Sequence, residues 1–184
     1  EMHVWKVCYR VGKGAPEAFL AKISDDKRYQ VSFSGEENTR WLCPSHPENQ
    51  KLEIDAMVEI AENYDVDGIH FDYIRYPGSD FCFCQGCRER FEKSFDVEVT
   101  NWPADVRTVP LIRKKWLEFR RLNITRVVRQ VSGQARDRKK DIVISAAVFR
   151  NWERNRDDVA QDWKEWCDKG YLDFICPMNY TERT

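Results

Sequence analysis

The chain has 184 residues, of which 42% are hydrophobic, and its formal net charge is −1. This length allows one sizeable core and predicts a single domain. The balanced charge gives no support to nucleic-acid binding, and no apolar run is long enough to cross a membrane. The sequence starts at Glu1 without a signal peptide and stops just after a predicted strand. We therefore expect residues 1–184 to be one domain cut from a longer chain, and the location of the protein stays open.

The first predicted strand covers residues 3–9, where β-forming residues alternate between two faces. Residues 10–47 contain no convincing long helix, because glycine and proline interrupt them repeatedly. Within this segment we predict one helical turn at 19–23 and a short strand at 29–33. A connection of this length inside a compact domain is usually functional or carries its own small structure.

The middle of the chain alternates between helix and strand. Apolar residues at helical spacing predict a helix over 48–64. A buried strand follows at 67–72, then a cysteine-containing loop and a short helix around 88–95. A long helix at 111–132 is basic on its outer side, which we interpret as a solvated helix face. A second buried strand is predicted at 141–148.

The last part of the chain completes an alternating pattern. Asp157 or Asp158 is expected to cap a helix that runs to about Lys169, and a third buried strand covers 172–176. Near-continuous apolar strands that alternate with amphipathic helices predict a parallel sheet with βα crossovers. No glycine-rich phosphate-binding fingerprint follows any strand. Polar and aromatic residues follow the strands, where a (β/α) barrel places its active site. Four strands make about half of such a barrel, because a full one takes roughly 250 residues.

The strand at 67–72 ends in a charged residue, Asp72. His70 and Asp72 point to one common face, because side chains alternate along a strand. A buried charge is costly unless it is paired or functional, so this carboxylate favours a catalytic or binding role. The structural alternative is an aspartate that accepts hydrogen bonds from the following turn. His70 is equally consistent with a histidine of the core.

Four segments of the sequence resemble the glycosyl hydrolase-like 10 family. They are His-Val-Trp-Lys-Val-Cys-Tyr-Arg (3–10), Trp-Leu-Cys-Pro-Ser-His-Pro-Glu (41–48), Asp-Gly-Ile-His-Phe-Asp-Tyr-Ile-Arg-Tyr-Pro (67–77) and Asp-Phe-Ile-Cys-Pro-Met-Asn-Tyr-Thr (173–181). The resemblance extends over essentially the whole chain and is most specific at 67–77. It implies an α/β fold of the (β/α)8 TIM-barrel type, in which this chain covers the middle four βα units, strands three to six.

The resemblance also implies an enzymatic activity and a cellular location. Members of the family are described as barrel glycoside hydrolases that are often secreted or lipid-anchored in bacteria. We therefore expect a hydrolase that cleaves O-glycosidic bonds in a poly- or oligosaccharide, without an organic cofactor. A secreted, periplasmic or surface-anchored location follows from the same resemblance.

Glycoside hydrolysis usually needs two carboxyl groups beside the scissile bond, one as nucleophile or base and one as general acid. In the barrel glycosidases that the family resembles, a catalytic carboxylate commonly ends strand four, and Asp72 matches that place. His70 would lie beneath it and hold it ionised through a hydrogen bond or a positive charge. The second carboxyl group is not identified. An acid would suit position 179, but that residue is Asn179.

Four other carboxylates near the predicted strand ends are candidates for the general acid: Glu153, Asp157, Asp158 and Asp162. Asp157 and Asp158 are more often helix caps, and Glu153 is more often a solvated loop charge. The acid could also come from a strand outside the chain, or the activity could have been lost. Candidates for stacking on sugar rings are Trp5, Tyr73, Tyr76, Trp152 and Tyr180, and candidates for bonding hydroxyl groups are Arg10, Arg75 and Asn179. Packing explains each of these residues as well as binding does.

The cysteines are unevenly placed. Cys82, Cys84 and Cys87 form a tight cluster, and Cys43 lies in a separate loop. Two loops at one end of a barrel can meet, which would give four thiolates for a tetrahedral structural zinc ion. Disulfides within the cluster or reduced thiols are the alternatives. The pattern also resembles the zinc cluster of certain barrel β-galactosidases. The remaining cysteines are interpreted as packing residues: Cys8, Cys167 and Cys176.

Three functional hypotheses remain. The first is a glycosidase with Asp72 as its principal carboxylate. The second is a non-catalytic carbohydrate-binding barrel, which Asn179 and the lack of a carboxylate directly after Val148 support. The third is a zinc-stabilised interaction module without a role in sugar binding. Half a barrel leaves two strand edges unpaired, so if residues 1–184 were the whole chain, we would expect a partner to cover those edges or the chain to be poorly soluble.

Overall fold

The computed structural model describes residues 1–179. In chain order the described elements are β1 (His3–Val7), α1 (Glu17–Asp25), β2 (Tyr29–Val31), β3 (Glu37–Leu42), α2 (Pro47–Asn63), β4 (Gly68–Asp72), α3 (Gln85–Phe95), α4 (Asp105–Thr108), α5 (Pro110–Arg138), β5 (Val143–Phe149), α6 (Trp152–Asp158), α7 (Trp163–Asp168) and β6 (Phe174–Met178). None of the helices within this part of the chain has the length and apolarity that a bilayer crossing requires.

The main sheet has the strand order β1-β4-β5-β6, and all of its neighbouring strands are parallel. The predicted parallel sheet with helical crossovers is therefore confirmed. Each of its four strands was predicted to within two residues at either end. The carboxyl ends of the four strands meet at one edge of the sheet, so residues that follow different strands are brought together there.

The two faces of the sheet differ in burial because side chains alternate along each strand. Ile69 and Phe71 of β4 and Ile144 of β5 are fully buried and belong to the same core as residues of α2 and α5. On the opposite, concave face His70 and Asp72 are only half-buried. The face with His70 and Asp72 is therefore the more accessible one, and the opposite face of β4 and β5 packs into the core.

The segment at 10–47 contains more structure than the sequence predicted. The predicted helical turn is a nine-residue helix, α1, and the predicted short strand pairs with an unpredicted strand, β3, in an antiparallel hairpin. Gly35 lies between the two strands with φ of 90°, a conformation that glycine adopts without strain. The sequence of β3, Glu-Asn-Thr-Arg-Trp-Leu, lacks the apolar alternation that marks a strand.

The helix predicted from Asp157 or Asp158 to about Lys169 is wrong. The segment forms two short helices, and both aspartates lie at the end of α6 rather than at a helix start. Asn151 caps α6, because its side-chain oxygen accepts from the Arg154 N–H at 3.0 Å. Ala160 has φ of 60° and separates the two helices. The break is stabilised by the buried Gln161 side chain, which bonds the backbone at the end of β5.

A buried arginine joins two of the loops at the carboxyl edge of the sheet. Arg120 of α5 is 1% exposed and donates to the carbonyl oxygens of Gly78 at 2.7 Å, Asp157 at 2.8 Å and Asp158 at 3.0 Å. Its guanidinium also lies 4.5 Å from the ring centre of Tyr76. The loop after β4 and the helix after β5 are therefore attached to one another through a single side chain.

A buried ion pair connects β1 to α2. Lys6 bonds the carboxylate of Glu53, whose other oxygen accepts from the Tyr9 N–H at 2.8 Å. Burial opposes the charge on Lys6, but Glu53 outweighs it, so the pKa of Lys6 is raised. Glu53 is 2% exposed, so its charge is expensive to leave unpaired.

Replacing Glu53 by Gln is expected to lower the free energy of unfolding by about 2–4 kcal/mol, because Lys6 loses its counter-charge inside the protein. Urea unfolding of the full-length protein measures this change. Asp55→Asn is the matched control, because Asp55 pairs with Lys51 on the exposed side of the same helix. We expect no measurable change in the control. An equal effect of the two substitutions would show that burial of the Lys6–Glu53 pair is irrelevant to stability.

Candidate active site

One open cavity of about 630 Å³ lies at the carboxyl ends of the main-sheet strands. Each strand contributes to its lining: Trp5 from β1, His70 and Asp72 from β4, Phe149 from β5 and Met178 from β6. The cavity therefore occupies the position in which a (β/α) barrel carries its active site.

Asp72 is the last residue of β4 and lines this cavity. Its Oδ1 atom accepts from the Tyr73 N–H at 2.9 Å, which is the turn hydrogen bond expected of a purely structural aspartate. Its Oδ2 atom forms no hydrogen bond with any residue of 1–179. One carboxylate oxygen is thus fixed by the backbone, and the other is available to a ligand.

The chain turns sharply after Asp72. Tyr73 has φ of 56°, a conformation that costs a non-glycine residue about 1–3 kcal/mol and that is concentrated at functional sites. The turn places the Tyr73 ring 5.7 Å from the ring of Trp41, measured between centroids. The guanidinium groups of Arg75 and Arg10 lie 4.9 and 5.4 Å from the Tyr73 ring centre. Tyr73 and Arg75 line the cavity, and Trp41 and Arg10 pack against them outside its lining.

His70 contacts the neighbouring strand rather than Asp72. Its Nδ1 atom lies 2.8 Å from the hydroxyl oxygen of Ser145, its register partner on β5. Burial lowers the pKa of His70, and the attraction of Asp72 offsets this only in part. Among residues 1–179 the structure shows no hydrogen bond from His70 to Asp72, and the lowered pKa favours a neutral ring. The suggested role of His70 as a positive charge beneath Asp72 is not supported by this geometry.

His70 is expected to titrate below about 6.5, the pKa of an unperturbed histidine. Because the unfolded state then binds the proton more tightly than the folded state, stability falls as the pH drops through about 6.5 and on towards the folded pKa. An NMR titration of the histidine rings of the full-length protein measures the folded value. The His70→Gln spectrum identifies the resonance by its loss. A midpoint at or above about 6.5 would contradict the burial argument.

The other predicted sugar contacts lie in different surroundings. Trp5 is 67% exposed and lines the cavity. Asn179 is exposed just after β6, and Tyr180 lies outside the described residues. Tyr76 is 1% exposed, so its ring is not accessible to a sugar. Trp152 lies on α6, where its ring nitrogen donates to Asp162 at 2.7 Å, and it does not line the cavity.

The structure does not bring a second carboxylate to Asp72. Of the four candidate acids, Asp157 pairs with Arg121 at 2.6 Å, and Asp158 pairs with Arg154 at 2.9 Å. Asp162 is buried against Trp152, and Glu153 is exposed on α6. Among the residues that the structure describes, Asp72 is the sole carboxylate in the lining of this cavity.

Sequence reasoning missed two residues of this site. Trp41 is the aromatic partner of Tyr73, and it lies in the unpredicted strand β3. Ser145 is the hydrogen-bond partner of His70. A small polar residue inside the apolar run Ile-Val-Ile-Ser-Ala-Ala-Val was a usable signal, because parallel pairing places it beside His70.

Beside the sheet, four cysteines come together as the sequence predicted. The sulfur atoms of Cys43, Cys82, Cys84 and Cys87 all lie within 4.8 Å of one another. Cys43 Sγ is 3.4 Å from Cys87 Sγ and 3.9 Å from Cys84 Sγ. Four thiolates at about 2.3 Å from a tetrahedral zinc ion would be about 3.8 Å apart. The four sulfurs therefore have the spacing of a metal-ligand set, and each cysteine is a free thiol.

Hydrogen-bond donors surround the sulfur atoms. The Ser45 hydroxyl lies 3.1 Å from Cys87 Sγ and 3.3 Å from Cys43 Sγ. The Val31 N–H donates to Cys82 Sγ at 3.3 Å. Arg90 donates to the Ser45 hydroxyl at 3.1 Å and approaches Cys43 Sγ at 3.9 Å. Such donors stabilise the negative charge of thiolate ligands. The same contacts join the β2–β3 hairpin to α3.

Comparison with known proteins gives a consistent family and fold. The profile of the family described as glycosyl hydrolase-like 10 matches residues 10–184. The glycosyl hydrolase YngK of Bacillus subtilis (strain 168) is 23% identical over 98% of this chain and 36% of its own length. The glycosyl hydrolase DigH of Escherichia coli O6:H1 is 22% identical over 98% of this chain and 43% of its own length. The chain thus spans less than half the length of these curated relatives.

Solved structures give the fold. The crystal structure of a β-galactosidase from Bacillus circulans sp. alkalophilus superposes with a TM-score of 0.61 at 15% identity. The superposition covers 92% of this chain and 29% of the β-galactosidase chain. The predicted (β/α)8 TIM-barrel fold class is confirmed, and the four parallel strands of the main sheet form part of such a barrel.

Proposed function

The chain belongs to the glycosyl hydrolase-like 10 family, and on that premise we propose that it carries part of the active site of a glycoside hydrolase. The reaction is the cleavage of O-glycosidic bonds in a poly- or oligosaccharide. The observation that carries the proposal is Asp72, a carboxylate at a barrel strand end that opens onto a cavity with one oxygen unbonded within residues 1–179.

In this proposal Asp72 acts as nucleophile or base. Its carboxylate either attacks the anomeric carbon of the bound sugar or takes a proton from the attacking water. The bond from the Tyr73 N–H holds Oδ1, so the plane of the carboxylate is set before the substrate arrives. The residues proposed to bind the substrate by stacking or hydrogen bonding are Trp5, His70, Tyr73, Arg75, Asn179 and Tyr180.

We propose that the general acid comes from a part of the protein outside residues 1–179. Two observations support this origin of the acid. No second carboxylate lines the described part of the cavity, and the chain spans less than half the length of YngK and DigH. The separation between Asp72 and the partner carboxyl in the full-length protein then indicates the stereochemistry. About 5–5.5 Å would indicate retention of the anomeric configuration, and about 6.5–9.5 Å would indicate inversion.

The competing proposal is a carbohydrate-binding barrel without activity. The specific observation in its favour is that Asp72 lacks a second carboxylate in the described part of the cavity. The two proposals are separated by incubating the full-length protein with a polysaccharide panel and measuring new reducing ends. Release of reducing ends supports the hydrolase. Glycan-array binding without product, even after long incubation, supports the binding barrel and contradicts the hydrolase.

We also propose that the cluster of Cys43, Cys82, Cys84 and Cys87 binds a structural zinc ion. The sulfur spacing and the surrounding donors fit a closed four-thiolate site, which leaves no coordination position for a substrate. When bound, zinc would hold the hairpin and α3 together beside the barrel. Binding requires all four thiols as thiolates, so zinc affinity should fall as the pH is lowered.

A further inference from the structure

A second cavity, of about 610 Å³, lies where α4, the start of α5 and the end of α6 meet. Its cationic lining residues are Arg107, Arg113, Lys114, Arg121 and Arg156. Among the described residues that line it, Asp157 is the sole acid. We call this cavity the basic cavity. It adjoins the helix that connects the two central strands, so it lies away from the sheet edges at β1 and β6.

The positive charges of the basic cavity are only partly compensated. Asp157 pairs with both Arg121 at 2.6 Å and Arg156 at 3.3 Å. The side chains of Arg113 and Lys114 form no hydrogen bond or ion pair with any residue of 1–179. The formal net charge of the whole chain is −1, so this excess of positive charge is local. A concave cluster of this kind concentrates positive potential more strongly than a solvated convex helix face does.

Two of the arginines are held in place by further contacts. Arg107 bonds the Asp80 carboxylate, and its guanidinium lies 3.7 Å from the ring centre of Phe33. Arg156 lies 5.0 Å from the ring centre of Trp152. These guanidinium groups are therefore preorganised. Less side-chain conformational entropy is lost when a ligand binds them.

Successive cavities between the basic cavity and the cavity of Asp72 share lining residues. It shares Arg113 and Asp157 with a cavity of about 300 Å³. That cavity shares Ser79 with another of about 530 Å³, which in turn shares Phe149 with the cavity of Asp72. A polymer that followed this series of cavities along the surface would contact both of its ends.

We propose that the basic cavity is a second binding site for a negatively charged polysaccharide, separate from the site of cleavage. The partner is the polymer strand on which the proposed hydrolase acts, so the inference rests on the proposed function. Arginine guanidinium groups bind carboxylates through paired hydrogen bonds, which suits acidic sugars. No aromatic side chain lines the described part of the basic cavity, so the binding proposed there depends on charge and on guanidinium hydrogen bonds.

The test is the binding of fluorescently labelled carboxymethyl-dextran to the full-length protein at low salt, with neutral dextran as the uncharged counterpart. We expect the wild type to bind the charged polymer only. Arg113→Glu combined with Lys114→Glu should raise the dissociation constant by about tenfold or more. Acids are favourable this close to the start of a helix, so the fold should be retained. Arg113→Gln with Lys114→Gln should weaken binding less, because no repulsion is added.

The matched control is Arg126→Glu with Arg129→Glu, which makes the same change in net charge on the same helix outside the basic cavity. This pair should leave the dissociation constant within about twofold of wild type. Equal weakening by both pairs, no binding by the wild type, or equal binding of neutral dextran would each overturn the proposal. Tighter binding of a DNA oligonucleotide or of anionic vesicles would overturn the polysaccharide assignment. A protein without hydrolase activity would fail the reducing-end assay but not this one.

Discussion

Asp72→Asn is expected to lower kcat/KM for the polysaccharide substrate of the full-length protein by about 10³-fold or more. An amide is neither a nucleophile nor a base for glycosidic cleavage, whereas it has nearly the shape of the carboxylate. The asparagine oxygen can still accept from the Tyr73 N–H, so the turn after β4 should be retained. Initial rates of reducing-end release at substrate concentrations well below KM give kcat/KM. Circular dichroism checks that the variant keeps its fold.

Asp67→Asn is the matched control for that substitution. Asp67 immediately precedes β4, at the opposite end of the strand from Asp72, and its carboxylate accepts from the Met2 N–H at 2.6 Å. The chemical change is the same, but the residue is remote from the cavity, so kcat/KM should be unchanged. Partial recovery of Asp72→Ala by added azide would identify the missing group as a nucleophile or base. Full turnover by Asp72→Asn would remove Asp72 from the reaction.

Loss of one cysteine of the cluster is expected to have the largest effect on stability. The full-length protein purified with zinc should contain one zinc ion per chain, and Cys87→Ser should contain none. Because zinc binding and local folding are linked, the variant should lose about 4 kcal/mol of stability and about 10 °C in Tm. Metal analysis by mass spectrometry and thermal unfolding measure the two quantities. A chelator should produce the same decrease in the wild type.

Cys167→Ser provides the control, because Cys167 is exposed on α7 and outside the cluster. It should change neither the zinc content nor the Tm. The disulfide alternative predicts the opposite pattern of sensitivities: a reductant would lower the Tm and a chelator would not. A wild-type protein with no zinc and four titratable thiols in the cluster would leave the zinc proposal without support.

The fold was predictable where burial imposes a simple pattern on the sequence. The apolar runs of β4 and β5 identified both strands to within two residues. The strand β3 was missed because it is mostly exposed, and its register depends on pairing with β2 rather than on its own residues. The break between α6 and α7 was missed because Ala160 gives no local signal for a positive φ. The contacts of Gln161 with β5 that stabilise this break are long-range.

The candidate site shows the same division. Asp72 was predictable because a charge at a buried strand end is unusual, and the cysteine cluster was predictable from its spacing. Trp41 was not, because only the tertiary fold of the hairpin brings it against Tyr73. The positive role suggested for His70 depended on its proton affinity, which burial lowers. Sequence spacing carries no information on how deeply a strand-end side chain is buried.

The buried side chain of Arg120 has a consequence for how such barrels can change over evolution. One βα unit of a barrel is often regarded as a module that can be exchanged with its loop. Here Arg120 belongs to the helix between β4 and β5 and bonds both the loop after β4, at Gly78, and the end of α6, at Asp157 and Asp158. A graft that replaced one of the two segments alone would remove part of the acceptor set of this buried guanidinium, unless the new segment placed a carbonyl oxygen at the same point. We therefore expect a graft of the two consecutive βα modules together with Arg120 to be tolerated better than a graft of either module alone.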